Sequence, residues 1–111
     1  MTRQHLPNRR PSMTVRAVWK SEMAEHPFHV TAGFEPETGA IREVFYADGQ
    51  RTGSNLRDTV QDACILISLL LQHGATLEEI GRNLSVVRLF GEIYPATIVG
   101  VIVAKLKEME G

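Results

Sequence analysis

One cysteine in 111 residues excludes an internal disulfide and a cysteine-rich structural zinc site. That residue, Cys64, lies within the apolar run Ala63 to Leu71, which predicts a buried, unreactive thiol and suits a reducing cytoplasm. The first residues contain no apolar signal-peptide core, and no apolar stretch is long enough to cross a bilayer, so neither secretion nor membrane insertion is expected. P-loop, dinucleotide-binding glycine pattern, nucleophile elbow and zincin motif are all missing. So is any internal repeat. A chain of this length is expected to fold as one domain without a metal or other staple.

What is present is unevenly distributed. Residues 1–20 carry Arg3, Arg9, Arg10, Arg16 and Lys20 with no acid, which leaves −6 on the remainder of a chain whose net charge is −1. Residues 1–13 hold Pro7 and Pro11 and lack apolar periodicity. They read as an extended basic arm ahead of a single domain over 14–111. Such an arm, with Arg3, Arg9, Arg10 and Arg16, is a candidate for binding a partner, an acidic protein surface or nucleic acid. A plain solvated tail is the competing reading and is preferred to a nucleic-acid arm, because no aromatic stacking pattern accompanies the charge.

The domain reads as α+β. Period-two alternation predicts strands near 14–20, 28–35 and 40–47, the second clearest, with Phe28, Val30, Ala32 and Phe34 on one side. Glu35-Pro36-Glu37-Thr38-Gly39 is a turn, so the strands follow one another as an antiparallel meander. On the third strand the facing is ambiguous: Ile41, Glu43 and Phe45 share one side, Val44 and Tyr46 the other. A helix over 56–73 is apolar nearly all round in its second half, which predicts burial over most of its circumference and makes it the central element, with Leu70 in the core. His73-Gly74 closes it. Thr76-Leu77-Glu78-Glu79 is a capping box for a second helix over 77–84. Residues 85–94 stay open between loop and short extended segment. Pro95 starts a last helix over 95–109, with Ile98, Val99, Ile102, Val103 and Leu106 in a stripe.

Three places invite a functional reading. Arg51-Thr52-Gly53-Ser54-Asn55, at the start of the central helix, offers amides, a hydroxyl and a guanidinium to an anion, although plain capping accounts for Ser54 as well. His26 and His29 flank Pro27-Phe28 near Glu22 and Glu25, but three-residue spacing across an X-Pro break does not force the imidazoles to converge. No metal site and no cofactor are expected. Gly74 to Ser85 has the cadence of a helix-turn-helix, whereas Val86, Val87, Leu89 and Phe90 are too apolar for a recognition helix.

Leu6-Pro7-Asn8-Arg9-Arg10, Gly39 with Arg42-Glu43-Val44-Phe45, Gly53-Ser54 with Leu56-Arg57, Ile67 to Gly74, and Leu77-Glu78-Glu79 occur in an order and spacing that resemble the TSCPD domain. That domain is the C-terminal module of vitamin B12-dependent (class II) ribonucleotide reductases and also occurs as a small stand-alone protein. The Thr-Ser-Cys-Pro-Asp segment that names the family is absent here. The resemblance implies a ribonucleotide reductase-related, cytoplasmic protein linked to DNA synthesis. With Cys64 alone it lacks the radical cysteine and redox pair of the parent enzymes, so it is not expected to catalyse the reduction by itself. An accessory or protein-interaction module follows, its partner being the reductase or a copy of itself. A small DNA-binding protein using the arm and the helix pair after Gly74 is the alternative.

Overall fold

The computed structural model describes residues 11–20, 25–49 and 55–110. In chain order they form β1 (Ser12–Lys20), β2 (Glu25–Phe34), β3 (Ile41–Ala47), α1 (Asn55–Gln72), α2 (Leu77–Arg82), β4 (Val86–Leu89), β5 (Glu92–Pro95) and α3 (Ile98–Glu110). The α+β architecture is the one the patterning predicts: an antiparallel sheet in the order β1-β2-β3, with three helices.

Alternation determines which face of the sheet is covered. Ala17, Phe28, Val30, Ala32, Val44 and Tyr46 are all buried, while Arg16, His29 and Phe45 on the other face are exposed. Between β2 and β3 the turn is closed by Glu35 N–H donating to the Ala40 carbonyl at 2.8 Å and by Gly39 N–H donating to the Glu35 carbonyl at 2.8 Å. Gly39 sits at φ 74°, in the left-handed region open to glycine. The ambiguity of β3 has a cause here. The register shifts after Gly33↔Glu43 to Phe34↔Ile41, so the extra residue Arg42 puts the strand out of phase and Ile41 joins Val44 and Tyr46 in the core.

The last helix, α3, packs on β1 and β2 and against α1 and α2, burying Ile98, Ile102, Val103 and Leu106. It begins at Ile98, three residues later than Pro95 suggests, because Pro95 ends β5. The start is held by Thr97, whose hydroxyl accepts from Gly100 N–H at 3.1 Å. A Cβ at Gly100 would stand 2.9 Å from the Pro95 Cβ, so glycine allows the helix to pass the end of the hairpin.

The largest correction concerns α1. It lies along the outer edge of β3, with one stripe, Val60, Cys64, Ile67 and Leu71, buried. Leu56, Ile65, Leu66 and Leu70 are exposed, Leu70 at 48%. A helix at a sheet edge has half its circumference turned away from the domain, so apolar character all round did not translate into burial all round. Its C-terminus is as read: Gly74, φ 99°, donates to the Leu71 carbonyl at 3.1 Å and Ala75 to the Leu70 carbonyl at 3.0 Å, the paired bonds of a left-handed helix stop. The capping box of α2 is also formed, with Glu79 N–H donating to Thr76 Oγ1 and Thr76 N–H to Glu79 Oε1, both at 3.1 Å.

Residues left open by the patterning form a hairpin. Val86, Val87, Arg88 and Leu89 pair with Pro95, Tyr94, Ile93 and Glu92. The two-residue turn is Phe90, φ 52°, and Gly91, φ 80°. Both central residues with positive φ match the twist of a tight hairpin, although a bulky residue is unusual at the first. Chain direction therefore passes from α2 into a strand, and the second helix that a helix-turn-helix needs is not formed at that place.

Candidate functional site

Edge strands leave a row of unpaired backbone groups, and on β3 three residues of α1 meet them. Gln61 Nε2 donates to the Tyr46 carbonyl at 2.7 Å, Ser68 Oγ accepts from Val44 N–H at 3.0 Å, and Gln72 Nε2 donates to the Arg42 carbonyl at 3.1 Å. Positions 61, 68 and 72 share one side of a 3.6-residue helix, next to the buried stripe. Ser68 passes the interaction on, donating to the Cys64 carbonyl at 2.8 Å. From the strand side, Arg42 donates to the Leu71 carbonyl at 3.0 Å and is held by Glu35 at 3.3 Å.

At the other end of this seam three polar side chains converge. Tyr46 donates to Asp48 Oδ2 at 2.7 Å, which leaves its hydroxyl oxygen to accept from His26 Nε2 at 3.1 Å. His26 stands 3.9 Å from the same carboxylate oxygen, and the Asp48 side chain is only 2% exposed. Phe28 lies between, its ring centroid 5.4 Å from that of Tyr46 and 6.3 Å from that of His26. Burial, then the bond to Asp48, pushes the Tyr46 phenol well above its ordinary range. Burial pushes the Cys64 thiol up to about 12. Neither group ionises near neutrality, so the cluster offers no ready nucleophile and no phenolate base.

Of the sequence-predicted site residues, Arg51, Thr52, Gly53 and Ser54 of the anion-site reading and Arg3, Arg9 and Arg10 of the arm lie outside the described residues. Asn55 is the exposed first residue of α1, and Arg16 stands exposed on β1 opposite His29. His26 and His29 are three residues apart on a strand and leave its opposite faces. Among the described residues no group of three or more His, Cys, Asp or Glu could hold a metal ion. None of the described helices is long and apolar enough to cross a membrane.

The feature that motif reasoning missed is the hairpin surface. Val86 is 65% exposed, Ile93 62% and Phe90 98%. The available signal was two β-rich runs of four residues, Val86 to Leu89 and Glu92 to Pro95, separated by two residues that include Gly91. Beside the base of the hairpin is an open cleft of about 250 Å³ whose apolar wall is Val18, Tyr94, Pro95, Val101 and Ala104, and whose rim is Lys20, Lys105 and Glu108.

A three-stranded meander with a helix bonded along its edge and a second helix packed in its core defines a small α+β domain with apolar surface to offer. The chain belongs to the TSCPD domain family, whose model matches residues 1–109. This domain is known from the C-terminus of class II ribonucleotide reductases. No curated protein and no solved structure matches the chain significantly.

Proposed function

We propose that this protein is a cytoplasmic accessory module of ribonucleotide reduction that acts by binding the reductase and has no active site of its own. The observation that carries the reading is the β4–β5 hairpin, which projects Val86, Phe90 and Ile93 into solvent with Phe90 held at positive φ. Exposed aromatic and branched side chains at a rigid turn are a recurrent anchor in protein interfaces. Backbone strain at the same residue fits a position kept for contact, since glycine or asparagine would make the turn more easily. Membership of a family known from the C-terminus of the reductase is what favours the reductase as the partner to test.

The test is direct binding of the purified protein to a purified class II ribonucleotide reductase, measured by interferometry. Phe90→Asn retains the left-handed turn while removing the ring, and Ile93→Ser removes the neighbouring anchor. Each is expected to weaken binding at least about tenfold, the loss of a modest hot spot. Wild-type protein that does not bind, or an unchanged affinity in both variants, contradicts the proposal.

The nucleic-acid alternative is answered by fluorescence anisotropy with duplex and single-stranded oligonucleotides at low and physiological salt. If Arg3, Arg9, Arg10 and Arg16 neutralised phosphates, the affinity would fall steeply with salt, with a log–log slope of about −0.9 per contact on duplex DNA. Weak or no duplex binding is expected. Submicromolar binding at physiological salt, lost on replacing Arg9 and Arg10 by alanine, would promote the alternative.

A further inference from the structure

The outer side of α1 is patterned. Exposed Thr59, Asp62 and Leu66 and half-buried Leu69 and His73 follow one another at intervals of three, four, three and four residues, which aligns them in one seam of 3.5-residue period. Ile65 and Leu70 flank that seam, 57% and 48% exposed, and Leu66 at its middle is 61% exposed. The stripe that holds α1 to the domain is the opposite one, Val60, Cys64, Ile67 and Leu71.

We propose that this seam pairs with the same seam of a second copy of the chain, the two α1 helices running antiparallel about a two-fold axis between residues 67 and 68. In that register Leu66 of each copy meets Leu69 of the other, Ile65 meets Leu70, and Asp62 meets His73. The apolar contacts fall at the centre and the polar ones at the ends. His73 Nδ1 donates to the Leu69 carbonyl at 2.9 Å, so Nε2 is the ring nitrogen that this bond does not engage. An imidazolium at that position donates to the carboxylate of Asp62 across the axis, a charge-assisted bond at each end of the interface. A two-fold interface requires a surface complementary to itself, and a stripe with acid at one end, base at the other and leucines between satisfies that in the antiparallel sense only. Two heptads are short. They place the contact below the roughly 1,200 Å² of a standard stable interface, so association is reversible and concentration-dependent.

This inference does not rest on the ribonucleotide reductase reading, since it needs only the chain itself. Sedimentation velocity on the full chain from about 5 to about 500 µM covers the affinities expected of such an interface. The expected result is a concentration-driven shift from the 12.4 kDa chain mass towards twice that mass. Leu66→Glu and Leu70→Glu change residues already exposed in the single chain, so they keep the far-ultraviolet circular dichroism and unfolding midpoint of the wild type and abolish the shift. Asp62→Lys and His73→Glu each weaken self-association at least about tenfold. Combined in one chain they restore it, because each copy then offers lysine to the partner's glutamate. Wild type that stays monomeric throughout, self-association that survives Leu66→Glu, or a folded double variant that does not recover would each overturn the proposal. If the wild type is monomeric and Leu66→Glu instead loses binding to purified reductase, the seam belongs to a heterologous partner and self-pairing is wrong.

Discussion

The two long helices, α1 and α3, are both rich in aliphatic residues and are used in different ways. Helix α3 packs on β1 and β2, and Ile102 and Leu106 are completely buried. Helix α1 has a comparable supply of leucine and isoleucine, yet Ile65, Leu66 and Leu70 remain exposed. The difference lies in what each helix meets. A sheet face presents side chains and takes an apolar stripe, whereas a sheet edge presents amides and carbonyls and requires partners for them. Gln61, Ser68 and Gln72 are those partners. Apolar content therefore does not record which side of a helix its own domain covers.

The contrast is sharpest in stability. Leu106→Ala, deep in α3, is expected to cost about 2–5 kcal/mol through lost burial and the cavity left behind. Chemical denaturation checks this, and a cost below about 0.5 kcal/mol, the range of ordinary surface changes, would remove α3 from the core. For α1 the corresponding weak point is polar. Ser68→Ala leaves Val44 N–H without its acceptor and is expected to cost about 1–3 kcal/mol, the penalty for an unsatisfied backbone donor. An unchanged unfolding midpoint would mean that this bond is not what holds the helix to the edge. Thr76→Ala, which removes the cap of α2, is expected to cost about 0.5–2 kcal/mol in the same measurement.

What was legible beforehand divides along the same line. The alternation of β2, the turn at Gly39, the stop at Gly74, the box at Thr76 and the stripe of α3 are local signals, each written in adjacent residues, and each is found. The exposure of Leu70 was not legible, because helical periodicity identifies apolar sides but not which of two apolar sides the sheet will take. The phase of β3 depended on the extra residue Arg42, at the point where its pairing with β2 shifts between Gly33 and Phe34. His26 and Asp48 meet at Tyr46 only through the pairing of β2 with β3, so the cluster had no sequence signature. Pro95 misled because it is equally suited to the end of an edge strand and the first turn of a helix.

A smaller effect concerns Cys64, whose thiol is raised by burial from 9.0 to about 12. A raised pKa in the folded state favours folding while the thiol is protonated in both states. Its contribution is therefore complete below about pH 9 and is lost as pH rises towards 12, where the unfolded chain ionises first. Tyr46, raised by burial and Asp48, acts in the same direction. Denaturation midpoints are expected to be level through neutrality and to fall on the alkaline side. A thiol reagent at pH 8 should label Cys64 only after unfolding, and rapid stoichiometric labelling of the native protein would contradict the burial.

The central claim, that α1 has one closed side and one open side, is tested most directly on two adjacent leucines. Leu71 is 2% exposed and Leu70 is 48% exposed, so the chemistry of the substitution is held constant while the side of the helix changes. At a dilute concentration, where the chain is monomeric, Leu71→Ala is expected to cost about 2–5 kcal/mol. Leu70→Ala is expected to fall within about 0.5 kcal/mol of wild type. Equal costs, or a larger cost at Leu70, would show that α1 is enclosed all round within its own domain and would contradict both the edge packing and the open seam.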